Sequence, residues 1–196
     1  QINYTTLYHL IFVVKIKNIM RVGILGDGLT SLTLAKALVN HNIYVEVYSE
    51  KKNQIIDQSR TIGITKSNLD FFNDNIINIQ KIIWKLNKIE INSQKLPKEE
   101  LIKFENNNDQ LFSMVRNYKL YKILEQNLKK NKFYKINYKK NLLTILDKYD
   151  LIINLNPFNL VTKKFFTKKI KKNYQSVACT ALLKHDKINN RTASQI

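Results

Sequence analysis

Apolar and polar positions alternate along the chain in runs that predict strands and helices in turn. Residues 21–25 form a short apolar run that ends at Gly26-Asp27-Gly28, which predicts a buried strand and a tight turn. Apolar residues recur at helical spacing over 29–40, and β-branched and aromatic residues over 43–48 predict a second strand. This order is typical of a parallel crossover, so we expect strand 21–25 at the centre of a parallel sheet, beside 43–48.

The pattern continues in the same manner through the rest of the sequence. It predicts helices over 68–88 and 118–130, short strands and loops over 89–113, a buried strand over 150–155 and a strand over 177–184. Strands that alternate with helices predict an α/β fold: a Rossmann-like domain with a parallel sheet and crossover helices.

The charge is strongly basic, with 33 Lys and Arg against 15 Asp and Glu, a net charge of +18. Such an excess favours an anionic partner. The chain contains only four arginines, the residue that reads bases bidentately, so we expect no specific nucleic-acid binding. A basic face could instead make peripheral contact with an anionic membrane. The alternative is a solvated face set by codon composition, since Lys, Asn and Ile are all abundant. The lysines in question are Lys129, Lys130, Lys132, Lys135, Lys139 and Lys140.

The ends of the chain bear on its domain organisation, and its few cysteines and histidines bear on disulfides and metal sites. We interpret residues 1–19 as an N-terminal extension and residues 20–196 as the N-terminal part of a larger domain that is cut at its C-terminus. The apolar run at 7–14 is too short to span a membrane, and we expect a cytoplasmic protein. One cysteine, Cys179, and three scattered histidines predict no disulfide and no metal site.

The segment that carries chemistry is Gly26-x-Gly28-x-x-Ser31, between a predicted strand and a predicted helix. Gly26 permits the tight turn, Gly28 lets the backbone approach a pyrophosphate, and Ser31 is small enough for close helix packing. Glu50 follows the second strand and can accept hydrogen bonds from the two ribose hydroxyls of an adenosine. These residues predict a site for FAD or NAD rather than NADP; the alternative is a glycine turn with a solvated glutamate.

Further segments resemble a known family. They are Ser59-Arg60-Thr61-Ile62-Gly63-Ile64, Met114-Val115-Arg116-Asn117, Asp150-Leu151-Ile152-Ile153-Asn154, Tyr174-Gln175-Ser176-Val177-Ala178 and Ala193-Ser194-Gln195. In this order, from Met20 to Ile196, they resemble the FAD-dependent aromatic hydroxylases of ubiquinone biosynthesis, a branch of the single-component FAD monooxygenases. The resemblance implies a Rossmann-like FAD-binding domain with part of a small β-rich substrate region.

The resemblance also implies roles for two arginines. Arg60 and Arg116 match family arginines that contact FAD, and guanidinium forks suit phosphate and carbonyl oxygens better than lysine does. The alternative is that both are surface residues in ordinary salt bridges.

The implied reaction uses FAD, with NAD(P)H as reductant and O₂ as the oxygen source, to hydroxylate a lipophilic aromatic substrate, a polyprenylated phenol. The protein would act at the inner face of the membrane, with a biosynthetic complex as a possible setting. The cofactor carries the difficult step, so no catalytic side chain is expected.

One departure from the family pattern favours a different function. Asn156 and Pro157 stand where the family has Asp and Gly, and proline removes an N–H and fixes φ. The stretch between Leu128 and Asp150 is also shorter than in the family, as if a strand pair were lost. The alternative is a catalytically degenerate Rossmann-type module that acts as a non-enzymatic partner or scaffold.

Overall fold

The computed structural model describes residues 19–50, 56–93, 96–106, 110–138, 142–166, 168, 172–177 and 191–195. The expectations for residues 1–18, and for a strand over 178–184, fall outside these residues. Val177, at the start of that segment, has no regular structure.

The described secondary structure alternates between strands and helices along the first half of the chain. The strands are β1 (Arg21–Leu25), β2 (Tyr44–Ser49), β3 (Thr61–Thr65), β4 (Ile83–Leu86), β5 (Lys88–Ser93), β6 (Leu96–Glu105), β7 (Phe112–Arg116), β8 (Tyr134–Tyr138), β9 (Leu151–Asn154) and β10 (Thr192–Gln195). The helices are α1 (Leu29–Asn40), α2 (Lys66–Asn75), α3 (Asn117–Lys129) and α4 (Leu160–Phe165), with 3₁₀ segments at Gln80–Ile82 and Leu142–Lys148.

A four-stranded parallel sheet forms the centre of the fold, in the order β8-β2-β1-β9. The predicted central strand is confirmed, since β1 lies between β2 and β9, and α1 connects β1 to β2. β1 and β2 are almost wholly buried, as strands of a parallel sheet usually are, and apolar residues dominate both apart from Arg21 and the buried Glu46 and Ser49. The α/β fold class predicted from the sequence is therefore correct.

Two small sheets flank this parallel sheet. One is antiparallel, in the order β3-β7-β4, and the other has the order β10-β5-β6, with β5 and β6 antiparallel. The strands expected over 89–113 are present, but β6 is ten residues long rather than short.

The core is divided between the two faces of the parallel sheet. On one face, Val22, Ile24, Val45 and Val47 pack with residues of the helices α1 and α3. On the other face, a smaller cluster forms between the sheet and the 3₁₀ segment Leu142–Lys148, with Leu25, Tyr48, Leu142, Ile145 and Val161 buried. Each face of the sheet is therefore covered, as a parallel sheet requires.

The second face also holds a buried carboxylate, Glu46. Its side chain accepts hydrogen bonds from Arg21 Nη2 (3.2 Å), Asn137 Nδ2 (2.6 Å) and the Tyr48 hydroxyl (3.4 Å), and the Tyr48 and Tyr149 hydroxyls are 2.5 Å apart. Burial alone would raise the pKa of Glu46, but hydrogen bonds from Tyr149, Asn137 and Arg21 outweigh burial and lower it. The carboxylate is thereby held in its charged form and ties three strands to Tyr149.

The predicted helix over 68–88 is wrong in its second half. α2 ends at Asn75, and the chain continues through the 3₁₀ segment into β4. The side chain of Asn73 accepts a hydrogen bond from the backbone N–H of Ile79 (2.9 Å), which is the local competition by which Asn ends helices. The helical spacing of apolar residues persisted because Ile76 and Ile79 remain in the core.

The region between α3 and β9 also differs from expectation. The sequence pattern did not predict β8, which forms an edge of the parallel sheet. Between 142 and 150 the structure has a 3₁₀ segment where the resemblance suggested a lost strand pair. β9 is present at the predicted place, but it is partly exposed rather than buried, because it forms the opposite edge of the sheet.

Candidate functional site

The turn at Gly26 lies at the carboxyl end of the central strand. Gly26 has φ of +109°, a region that L side chains rarely adopt, and its N–H donates to the carbonyl of Tyr48 (2.9 Å). This hydrogen bond ties the turn to the end of β2. In open α/β sheets this edge, at the carboxyl ends of the strands, is where ligands bind.

Gly28 begins α1 and faces open space. It is the N-cap residue, no side chain caps the helix, and a β-carbon built on Gly28 would meet nothing within 4 Å. Ser31, in the first turn of α1, is only 2% exposed. A small residue is therefore needed at position 31, while the space before Gly28 leaves room for a group bound at the helix N-terminus.

Glu50 directly follows β2 and is exposed, two residues beyond Tyr48. The predicted pair of glycine turn and acidic residue thus lies on neighbouring strands at one edge of the sheet. Between them, the Ser49 hydroxyl donates to Asp27 Oδ2 (2.5 Å), which holds the Asp27 carboxylate at the end of β2.

Tyr121 on α3 is buried, and burial raises its pKa to about 12, with a smaller contribution from Asp27.

The backbones of Arg60 and Arg116 lie close together at one end of the β3–β7 ladder. Thr61 pairs with Arg116, and the N–H of Asn117 donates to the carbonyl of Arg60 (3.0 Å). Both arginine side chains are exposed, and within the described ranges neither guanidinium forms a salt bridge or a hydrogen bond. Asp57 lies near Arg60: hydrogen bonds from Ser59 and, to a smaller extent, the charge of Arg60 lower the pKa of the Asp57 carboxyl. The alternative interpretation, an ordinary surface interaction, therefore stays open for Arg60.

An unsatisfied acceptor lies beside these arginines. Asn117 Oδ1, at the start of α3, is buried and has no hydrogen-bond partner within the described part of the chain. An orphaned buried carbonyl costs free energy, which a hydrogen bond from a ligand or an ordered water would recover.

An apolar groove of about 550 Å³ joins these elements. It runs between α1 and the strand β3, opens to solvent, and is also lined by residues of α2 and α3. Its lining includes Leu29 and Thr30 in the first turn of α1, Ile62 two residues beyond Arg60, and Leu120 four residues beyond Arg116. The volume is in the usual range for small-molecule sites.

The Asn156-Pro157 segment forms a well-satisfied turn. Asn156 Oδ1 accepts from the N–H of Phe158 (2.9 Å), and Asn159 caps α4 by accepting from the N–H of Thr162 (2.8 Å). Asn154 accepts from Asn159 Nδ2 (2.8 Å) and donates to the Thr162 hydroxyl (2.7 Å). The turn is therefore built on side-chain amides and has Asn and Pro at the two positions where the resemblance implied Asp and Gly.

These features test whether the residues present fit a bound FAD. The open space at Gly28, the uncapped N-terminus of α1, the two exposed guanidiniums and the orphaned Asn117 carbonyl match the phosphates and polar ring edge of a dinucleotide flavin. The residues fit the group, and the roles of Gly26, Gly28, Ser31, Glu50, Arg60 and Arg116 toward it stay predictions.

Sequence reasoning missed Asn117 and the Asn154–Asn159 network. No sequence signal could identify Asn117, because its orphaned oxygen depends on how β7 leads into α3. The network did leave a signal, since Asn159 before an apolar run is a typical N-cap and Asn156 before Pro157 is a typical turn former.

Two further properties of the described residues concern metal ions and membranes. No group of three or more His, Cys, Asp or Glu side chains in the described ranges could hold a metal ion. No helix in the same ranges has the length and apolar character that crossing a bilayer demands.

Comparison with solved structures identifies the class of fold. The structure is similar to PqsL of Pseudomonas aeruginosa, described as a probable FAD-dependent monooxygenase, with a TM-score of 0.60 and 10% identity over 79% of this chain and 48% of that one. It is similar to p-nitrophenol 4-monooxygenase PnpA of Pseudomonas putida DLL-E4, with a TM-score of 0.52 and 13% identity over 61% and 32% of the two chains. A third is the tetrameric form of 2-methyl-3-hydroxypyridine-5-carboxylic acid oxygenase, with a TM-score of 0.51 and 15% identity over 62% and 32%.

The chain therefore has the fold of the FAD-binding monooxygenases, and it spans about half of PqsL and a third of the other two. No protein-family model matches the sequence, and no curated protein matches it.

Proposed function

We propose that this chain is the FAD-binding part of an FAD-dependent monooxygenase that hydroxylates a lipophilic aromatic substrate. The observation that carries the proposal is an open glycine turn at the N-terminus of α1, with one apolar groove that reaches from the first turn of α1 to Ile62 and Leu120, close along the chain to Arg60 and Arg116. The fold in which it lies is one that FAD-dependent monooxygenases share. Bound FAD would supply the redox chemistry, with NAD(P)H as reductant and O₂ as oxygen source.

The residues of this chain would bind and orient the cofactor. The backbone at Gly28 and the first turn of α1 would hold the pyrophosphate, since a helix N-terminus favours an anion. Glu50 would accept hydrogen bonds from the adenosine ribose. Arg60 and Arg116 would hold oxygens further along the cofactor, and Asn117 Oδ1 would accept from a donor there.

The substrate class is the finer part of the proposal. The groove between α1 and β3 is lined mainly by aliphatic side chains and extends from the first turn of α1, so an apolar ligand bound there would lie close to the cofactor. Water exclusion by Leu29, Ile62 and Leu120 would favour oxygen transfer over side reactions. With the sequence resemblance, this supports a polyprenylated phenol of ubiquinone biosynthesis.

The test is FAD binding by the complete protein, measured by flavin titration, with NAD(P)H oxidation followed in the presence of a short-chain prenylated phenol. Arg60→Lys and Arg116→Lys retain the charge but lose the guanidinium fork, so each should weaken FAD binding about tenfold. Arg191→Lys is the matched control, because Arg191 is exposed and lies before β10, far along the chain from the turn. If no variant changed FAD affinity, the assignment of these arginines would be wrong.

The second candidate is the degenerate module, which Asn156 and Pro157 favour. It predicts that the purified protein retains no flavin and oxidises no NAD(P)H, while its fold is intact by circular dichroism. Tight FAD binding with substrate-coupled oxidation excludes it.

A further inference from the structure

The surface around α4 exposes several large apolar side chains close together. Phe158 is 82% exposed, Phe166 is 58% exposed, and Leu160 and Phe165 are about half exposed. Four such side chains within nine residues are unusual on a solvated surface, where exposed apolar residues are normally single.

These side chains are held outward by a well-anchored segment. Asn159, Val161 and Thr162 are buried, and the Asn159 side chain caps the helix by accepting from the N–H of Thr162. Val161 belongs to the smaller core cluster. Leu160 and Phe165 lie in this anchored helix, and Phe158 and Phe166 directly flank it, so their exposure is set by an anchored segment.

The same surface is basic. Lys163, Lys164 and Lys168 are exposed, and the Lys164 ammonium lies 5.4 Å from the ring centre of Phe165. Between Asp150 and Asp186 the sequence contains seven lysines and no acidic residue. We refer to Phe158, Leu160, Lys163, Lys164, Phe165 and Phe166 as the aromatic–basic patch.

We propose that the aromatic–basic patch docks the protein on an anionic lipid surface. Lysines near an anionic leaflet each add attraction, and phenylalanine and leucine side chains insert at the boundary between headgroups and acyl chains. Lys163 and Lys164 give the patch a positive charge, which is complementary to such a surface. Nucleic acid is the less favoured partner, because this segment contains no arginine and its apolar side chains cannot form hydrogen bonds.

The patch lies beside the proposed cofactor site, which suggests what docking on a lipid surface would achieve. Phe158 and Phe166 line a cleft of about 600 Å³ together with Asn156, and Asn156 packs against Gly26 of the turn. A lipid surface at this cleft would lie next to the cofactor site, where a lipophilic substrate could enter. That purpose rests on the proposed function, whereas the docking itself does not.

The experiment is co-sedimentation of the full chain with vesicles of phosphatidylcholine, with or without phosphatidylglycerol. Lys163→Gln with Lys164→Gln should weaken binding to the anionic vesicles about tenfold or more, and added salt should weaken binding of the unaltered protein. Phe158→Ser with Phe166→Ser should weaken binding by a similar factor without removing charge.

Two matched controls distinguish the effect of the patch from the effect of removing exposed lysines or an exposed phenylalanine elsewhere on the protein. Lys81→Gln with Lys85→Gln removes two charges from exposed lysines of the 3₁₀ segment Gln80–Ile82 and of β4, and Phe71→Ser removes a phenylalanine that is 60% exposed on α2. Each control should change vesicle binding less than twofold. Circular dichroism verifies that every variant is folded, and flavin titration of the same variants should show unchanged FAD affinity.

Three results would overturn the proposal. One is equal binding to neutral and anionic vesicles, and another is equal loss in the control variants. The third is displacement of the protein from vesicles by single-stranded RNA, with the patch variants losing RNA binding in parallel, which would identify the patch as a nucleic-acid surface.

Discussion

Asn156 packs directly against Gly26: a β-carbon placed on Gly26 would lie 3.3 Å from the β-carbon of Asn156 and 3.4 Å from its backbone nitrogen. The first residue of the predicted nucleotide turn is thus in contact with the segment that departs most from the family pattern. The backbone hydrogen bond from Leu155 N–H to Leu25 carbonyl (2.9 Å) fixes the two segments in register. A substitution in either the Gly26 turn or the Asn156-Pro157 segment should therefore affect the conformation of the other.

Gly26→Ala should destabilise the fold and weaken FAD binding. The residue has φ of +109°, and the added methyl group would press on Asn156, so we expect a loss of about 1–3 kcal/mol in the free energy of unfolding. Urea denaturation followed by circular dichroism measures this loss. A stability equal to that of the unaltered protein would contradict the strained turn.

Gly28→Ala should separate binding from stability. At Gly28 the backbone is extended, with φ of −69°, and the added methyl group would enter open space, so the free energy of unfolding should change by less than about 1 kcal/mol. FAD affinity should fall about tenfold if a pyrophosphate approaches the backbone there. An unchanged affinity in this stable variant would argue against a nucleotide at the turn.

The central sheet could be predicted because its signals are local. β1 and β2 are buried runs, and the glycine turn and α1 lie between them, so apolar pattern and turn chemistry agree. The order of the glycine turn and Glu50 along the chain was enough to place both at one edge of the sheet.

The remainder depended on contacts between distant segments. β8 has mixed exposure and becomes a strand because it pairs with β2, which no local pattern reveals. The end of α2 was missed because Ile76 and Ile79 continue a helical spacing while Asn73 turns the chain. The closeness of Arg60 and Arg116 arises from the β3–β7 register, which the sequence does not show.

Glu46 should make stability depend on pH at the acid end. Its pKa is lower in the folded state than its ordinary value of 4.5, so the stabilisation is complete above about that pH and is lost as pH falls through the folded pKa. Glu46→Gln should cost about 1–3 kcal/mol at neutral pH and flatten the acid limb of the stability profile. Glu50→Gln is the control, because Glu50 is exposed, and it should neither lower the stability at neutral pH nor flatten the acid limb.

Urea midpoints measured from pH 7 down to pH 3 check this dependence. Glu46→Gln can be compared with the control Glu50→Gln because the two carboxylates differ in their surroundings. Glu46 is buried in a cluster with Arg21, Asn137, Tyr48 and Tyr149, whereas Glu50 is exposed. Parallel profiles for the unaltered protein and Glu46→Gln would mean that this cluster is not charged in the native state.

Glu50→Ala should weaken FAD binding without loss of stability. Two charge-assisted hydrogen bonds to ribose hydroxyls are each worth roughly 1.5–3 kcal/mol, which implies a loss of about tenfold or more in affinity. Glu50→Gln should retain part of the affinity, because the amide oxygen still accepts. Equal flavin titrations for all three proteins would remove Glu50 from the site.

Asn156→Asp with Pro157→Gly decides between an adapted turn and a defective one. A carboxylate at position 156 would still accept from the N–H of Phe158, but glycine at 157 would loosen a turn that the Asn154–Asn159 amides already satisfy. We therefore expect FAD affinity and NAD(P)H oxidation in the complete protein to stay the same or fall. Single variants show which change is responsible, and FAD binding at least tenfold tighter in the double variant would instead mean that Asn156-Pro157 is a defect and would favour the degenerate module.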